Sequence, residues 1–268
     1  EAAKSWLLLF FFLPIPALFA YFVIGRPDHA RWLQERIRRI PDVTRALRRE
    51  VMHSAYCRRP ILPANLQQAA DLIAGLGNFP AVTGNKVELI ADYDNAIARL
   101  KDDIDGARHT VHLLYYIFSN DGNWAEIISA LAAATRRGVV CRVLIDAVGS
   151  QKWAGPVIGV LRGNGIEAHE IMPIGLFRRR TRPDLRNHRK LAVIDSRIGF
   201  VGSQNIVSAT ATGAEPNREL VARIEGPLAL EMQSVFAGDW FLETDQEPDG
   251  AWRLPHQNPG TGATAQIL

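Results

Sequence analysis

The regular exchange of β-rich and helical segments between about residues 84 and 245 does most to limit what this chain can fold into. Val87 to Ile90 reads as a short strand. Asp92 then caps a helix to about Ala107, with Ile97, Leu100 and Ile104 at helical spacing on one face. Thr110 to Phe118, rich in β-branched and aromatic residues, is a strand, and Trp124 to Arg137 is a helix that stops at Gly138. Val139 to Ile145 ends in Asp146. Pro156 to Arg162 and Glu167 to Ile171 repeat the helix-strand step, Leu220 to Ile224 adds a strand, and Pro227 to about Leu242 a last helix. Such alternation predicts an α/β layer around a mainly parallel mixed sheet. In sheets of this kind ligands gather beyond the carboxyl ends of strands, where Ser119-Asn120-Asp121 and Asp146-Ala147-Val148-Gly149-Ser150 would lie, with capping roles equally open to the second group.

The stretch from Asn187 to Asn205 carries the chemistry. It places His188, Lys190 and Asp195 in the order His-x-Lys-x4-Asp, followed by Gly202-Ser203-Gln204-Asn205. In a strand starting near Arg189, residues on both faces are apolar, as in an inner strand, and His188 and Lys190 stand together at its mouth. A neutral imidazole is nucleophilic near pH 7, and a carboxylate on its second nitrogen steadies the charge that develops. Lys190, Ser203 and Asn205 supply donors for the non-bridging oxygens of a phosphodiester.

This spacing resembles the signature of the phospholipase D superfamily, and Arg186-Asn187-His188-Arg189-Lys190 resembles more narrowly the bacterial cardiolipin synthases. The resemblance implies phospholipase D-like αβα layers preceded by a transmembrane helix. It also implies a metal- and cofactor-independent transfer of a phosphatidyl group between two phosphatidylglycerols, giving cardiolipin and glycerol. His188 would form the phosphohistidine, Lys190 bind phosphate, Asp195 support an active-site histidine, and Ser203 and Asn205 hold the oxyanion. Ser196 stands where the family commonly has glycine, and Glu219 where it commonly has Asp. The family pairs two such motifs and this sequence holds one, so the expectation is the N-terminal half of a longer enzyme, cut at both ends, or a homodimer that supplies the second motif. A general acid is still needed, because one histidine cannot easily be attacker and proton donor at once. Two other readings stand beside this one: another phosphodiesterase of the superfamily, a phospholipase D or a one-motif nuclease, and a non-catalytic membrane-anchored module.

Trp6 to Ile24 is uncharged, about 28 Å long as a helix, and is expected to span a membrane despite Pro14 and Pro16. A signal peptide or a buried helix are the rivals. Arg26, Arg31, Arg36, Arg38, Arg39, Arg45, Arg48, Arg49, Arg58 and Arg59 follow, against Lys4 on the other side. By the positive-inside rule the globular part faces the cytoplasm, at a bacterial inner membrane by the resemblance, with the basic segment lying along the anionic surface or simply solvated. Nucleic acid is not the expected partner of these arginines, which lack interleaved aromatics. Arg178, Arg179, Arg180, Arg182 and Arg186 form a second basic run that could hold a phosphate or the membrane surface. The 47% hydrophobic fraction of the 268 residues supports a real core, and Cys57 and Cys141 have neither disulfide nor metal spacing. The expected division is a membrane segment to residue 25, a basic juxtamembrane region and linker over 26–83, the catalytic half-domain over 84–245, and a poorly ordered tail or start of a second half over 246–268.

Overall fold

The computed structural model describes residues 2–22, 31–77, 79–120, 124–173, 186–210, 217–248 and 262–267. Eight strands form one sheet: β1 (Val82–Ile90), β2 (Thr110–Tyr115), β3 (Val140–Asp146), β4 (Glu167–Ile171), β5 (Lys190–Ile194), β6 (Ile198–Gly202), β7 (Val221–Glu225) and β8 (Ala263–Ala265). Their order is β4-β3-β2-β5-β6-β7-β1-β8. The helices are α1 (Ala2–Phe12), α2 (Pro14–Ala20), α3 (Arg31–Met52), α4 (Ala64–Gly77), α5 (Tyr93–Asp105), α6 (Trp124–Arg136), α7 (Ala154–Gly163) and α8 (Leu228–Thr244).

The expected helix-strand segments form where the sequence places them, and Asp92 caps α5 by accepting from the Asn95 amide at 2.7 Å. The sheet, however, is not mainly parallel. Only β2–β3 and β3–β4 run parallel; β5 is antiparallel to both β2 and β6, and β1, β7 and β8 also pair antiparallel. Parallel neighbours need a crossover such as α6 or α7, whereas β5 and β6 are joined by a turn at Asp195 and Ser196, whose φ of 52° and 51° are the left-handed values of a type I′ hairpin. Glycine, the common family residue at position 196, takes that conformation without the Cβ penalty Ser196 bears.

Helices cover both faces. Ile97, Leu100, Ile127, Leu131, Val157 and Leu161 of α5, α6 and α7 pack against Ala192, Ile194 and Phe200, and Met232, Phe236 and Trp240 of α8 against Leu191 and Val193 on the other side. The alternation of β5 between these layers explains its continuous burial.

A further expectation needs correction. The apolar run from residue 6 is not one spanning helix. It breaks at Leu13 and folds back, bringing Trp6 to 5.3 Å and Phe10 to 5.7 Å from Tyr21 between ring centroids. Among the described residues no helix is long and apolar enough to cross a membrane. Pro14 and Pro16 remove two amide donors and restrict the residues before them, which ends α1 and starts α2. The basic region after it packs on the body of the fold, with α3 lying along α8: Arg36 donates to the carbonyls of Leu242 and Glu243 at 2.6 and 3.1 Å, and Arg39 pairs with Asp245 at 3.0 Å. These contacts answer the unpaired carbonyls at the end of α8. Within 26–83 the chain also forms α4, and β8 pairs with the sheet edge at β1.

Two buried titratable groups on and beneath α8 set a pH dependence. Burial pushes the Glu231 carboxyl up from 4.5 to about 8, and burial pushes His112 down from 6.5 to about 3, against a hydrogen bond from its ring to Gln233 at 2.9 Å. Between pH 4.5 and 6.5 each folded-state shift cancels the other in protons bound. Above 6.5 the folded state alone holds the Glu231 proton, so stability falls by about 2 kcal/mol up to pH 8, at about 1.4 kcal/mol per pH unit. Glu231→Gln is expected to remove that alkaline fall in urea unfolding curves; an unchanged slope would place the titration elsewhere.

Candidate active site

The site forms where the carboxyl end of β2 meets the amino end of β5, with Tyr115 opposite Lys190 in register. His188 and Lys190 are two apart on an extended chain and share a side. The Lys190 ammonium lies 3.0 Å from His188 Nδ1 and 3.3 Å from Nε2, and donates to the His188 carbonyl at 2.7 Å. An ammonium only donates, so which ring nitrogen accepts from it depends on the tautomer. Lys190 is buried while His188 is exposed. Desolvation draws the Lys190 pKa below its ordinary value, and the Glu219 charge opposes that shift.

A second layer of contacts holds this pair. The Tyr116 ring lies 4.4 Å from the His188 ring and 5.2 Å from the Lys190 ammonium. The backbone of Tyr116 is in turn seated on the loop after β3. Ser150 Oγ donates to the Tyr116 carbonyl at 3.0 Å and accepts from the Phe118 amide at 2.9 Å, and any side chain at Gly149 would collide with the Tyr116 carbonyl. Asp146 organises the loop, accepting from the amides of Val148 and Gly149 at 2.9 and 3.0 Å and from Arg186 at 3.2 Å. The strand-end Asp and Gly-Ser therefore cap and pack. Arg186 is committed inward, also donating to the Met172 carbonyl at 2.9 Å, while Arg178, Arg179, Arg180 and Arg182 lie outside the described residues.

Arg189 points to the opposite face and grips α8. It holds both oxygens of Asp239 at 2.8 and 3.0 Å, and Asn187 also bonds that carboxylate. Burial raises the Asp239 pKa and Arg189 holds it down. Arg-Asn-His-Arg-Lys thus divides its work: Arg186 secures the Asp146 loop, Asn187 and Arg189 secure α8, and His188 and Lys190 stand together at the strand mouth. Asp239→Asn keeps the shape but loses the charge pairing, and is expected to lower turnover by about tenfold through looser placement of His188, with KM little changed. Steady-state kinetics would check this, and equal loss in KM alone would reject the positioning role.

Of the remaining sequence candidates, Asn205 lines one small depression with Lys190, Tyr115 and Gly202. Its Oδ1 accepts from the Ile117 amide at 2.9 Å, leaving its NH2 to donate toward a ligand. Ser203 is exposed beside it, its hydroxyl accepting from the Leu220 amide at 3.1 Å and keeping its own proton to give. Asp195 is not at the site. It sits at the far end of β5, seven residues from His188, which is roughly 23 Å of extended chain. Its carboxylate accepts from the amides of Arg108, His109 and Thr110 at 2.9, 2.8 and 2.9 Å. Among the described residues, the carboxylate whose charge acts on Lys190 is Glu219. Tyr116 and Asp239 were not among the sequence candidates, and Glu219 was singled out only as standing where the family commonly has Asp; the position of Tyr116 at the carboxyl end of β2 was the one available signal for it.

The family profile described as "Cardiolipin synthase, PLD-like domain" matches residues 100–240, which hold every residue of this arrangement. The chain belongs to that family. Cardiolipin synthase A of Yersinia pseudotuberculosis is 31% identical over 280 aligned residues, covering 100% of this chain and 57% of the relative, and cardiolipin synthase A of Yersinia pestis matches to the same extent. The chain therefore spans little more than half the length of these curated cardiolipin synthases. Among solved structures, a phospholipase D family member, Nuc from Salmonella typhimurium, is 21% identical, covering 62% of this chain and 100% of that one at a TM-score of 0.48.

Proposed function

We propose that this phospholipase D-like chain supplies the nucleophilic half of a phosphatidyltransferase that makes cardiolipin from two phosphatidylglycerols. The observation that carries the reading is the Lys190 ammonium 3.0 Å from the His188 ring at the mouth of the sheet. A His188 ring nitrogen attacks phosphorus, forming a P–N bond as the bond to the glycerol oxygen breaks. The leaving oxygen takes a proton from a second acid, contributed by another copy or by the remainder of a longer chain. The hydroxyl of a second phosphatidylglycerol then attacks phosphorus, giving up its proton to the conjugate base of that acid as the P–N bond breaks. Lys190, Ser203 and Asn205 donate to the non-bridging oxygens throughout, and no metal or cofactor takes part. Incubating the protein with phosphatidylglycerol carrying labelled phosphate tests the reading: an acid-labile adduct on the His188 peptide and cardiolipin by mass spectrometry are expected, and neither would form if the chain were non-catalytic. Release of phosphatidic acid without cardiolipin would favour a hydrolase.

Membrane attachment follows from a different surface. The α1–α2 hairpin leaves Leu7, Phe11, Phe12, Ile15 and Phe19 at least 70% exposed, a patch that water penalises. With helices of roughly 16 and 10 Å it rests in one leaflet, and exposed Arg38 and Arg49 meet the anionic headgroups. Phe11→Asp with Ile15→Asp is expected to reduce flotation with phosphatidylglycerol vesicles by about tenfold or more, at roughly 2 kcal/mol or more per large side chain withdrawn. Undiminished flotation would overturn this attachment.

A further inference from the structure

A cavity of about 690 Å³ opens beside the catalytic pair, on the α8 side of the sheet. At one end it is lined by His188, Arg189 and Lys190. From there its wall is mainly apolar, formed by Leu191, Val201, Ile224, Leu228, Met232 and Val235, with Phe79, Ile267 and Gln266, whose amide nitrogen donates to the Phe79 carbonyl, completing it near the β1–β8 edge. No aspartate or glutamate is among its described lining residues.

From this juxtaposition we infer that the cavity is the acyl-chain site for the donor lipid, receiving one fatty tail while His188 and Lys190 engage the phosphodiester. The inference rests on the phosphatidyltransferase reading and names the part of the substrate that the reacting groups do not touch.

Three features select this occupant. The volume lies within the range of sites that bury a small ligand, about 300–1,000 Å³. The distribution of polarity matches one molecule with an anionic head and an apolar tail, because cations cluster at one end only. A polypeptide segment would bring a carbonyl and an amide with every residue, and those groups need partners that an aliphatic wall does not offer. A hydrocarbon tail needs none, and each buried methylene contributes about 0.8 kcal/mol. The apolar sheet face is also left open to receive it: Val201 and Val87 are 42% and 41% exposed although each stands next to buried neighbours.

Photolabelling tests this without requiring turnover. The full chain, reconstituted in vesicles containing phosphatidylglycerol with a diazirine near the middle of one acyl chain, is irradiated and its peptides are mapped. Label is expected on the β5 and α8 peptides that carry Leu191, Met232 and Val235. Unlabelled dioleoyl phosphatidylglycerol should compete for it, and water-soluble glycerophosphoglycerol should not. Val235→Trp, which fills the cavity, is expected to lower that label by about tenfold, a change of about 1.4 kcal/mol in occupancy. Val201→Glu, at a position already open to water, provides the same test if the tryptophan variant does not fold. Label confined to the α1–α2 hairpin, or label on α8 indifferent to both substitutions, would overturn the inference. So would a fall in label matched by dissociation of a dimer, which would show the cavity to be a contact between copies. A chain labelled in the cavity that forms no phosphatidyl adduct on His188 would leave the lipid site standing and reject the transferase reading instead.

Discussion

Replacing His188 with alanine is expected to cut phosphodiester turnover by roughly a thousandfold or more while leaving the fold intact. The size follows from the role: when the attacking group is deleted, the covalent route closes and only binding and electrostatic stabilisation remain. The fold is spared because His188 is exposed at the strand mouth, where substitutions change stability by about 0.5 kcal/mol or less. Lys190 cannot stand in, since its ammonium lies beside the ring and has no lone pair while protonated. Initial rates with phosphatidylglycerol, read beside thermal unfolding of the same variant, would settle the matter. Turnover within tenfold of the unmutated chain would mean the nucleophile lies elsewhere, with His188 reduced to a phosphate contact.

Asp195→Ala is expected to do the opposite: lower stability by about 2–4 kcal/mol and leave turnover per folded molecule within a few-fold. Three amides, of Arg108, His109 and Thr110, lose a charged acceptor at once, and hydrogen bonds to charged groups contribute about 1.5–3 kcal/mol each before solvent screening and replacement by water. The lost contacts join the β5–β6 turn to the start of β2, so the damage is to the register between the strand bearing His188 and its neighbour. Urea unfolding of the variant, with rates measured below its transition, separates the two effects. A well-folded variant with collapsed turnover would show that Asp195 supports a histidine after all, across an interface with a second motif.

The contrast between these residues shows how far sequence reasoning reaches. His188 and Lys190 meet because two positions along a strand always share a face, so their pairing follows from spacing alone. Asp195 is five residues beyond Lys190, past the end of the strand, and spacing does not say what it will touch. The amides it caps belong to residues 108–110, some 86 positions earlier in the chain. Tyr116 and Asp239 escaped notice for the same reason. Each reaches the site through a partner distant in sequence, and neither carries a local pattern that marks it.

The membrane segment went the other way. Composition alone identifies an apolar run of spanning length, but length assumes one straight helix. Pro14 and Pro16 instead divide it, and the aromatic contacts of Tyr21 with Trp6 and Phe10 fold the two pieces together.

By itself the sequence determined the segments that become helix and strand, the αβα class, and the adjacency of His188 and Lys190, because periodicity, capping and i, i+2 adjacency are local properties of a chain. Tertiary structure alone decided that β5 runs antiparallel between β2 and β6, that α3 belongs to the body through α8, that the Asp195 carboxylate meets the amides of residues 108–110, and that an apolar cavity opens beside His188. Those outcomes depend on which distant surfaces bury each other. Burial is a property of the whole packed chain, so no window of sequence contains it.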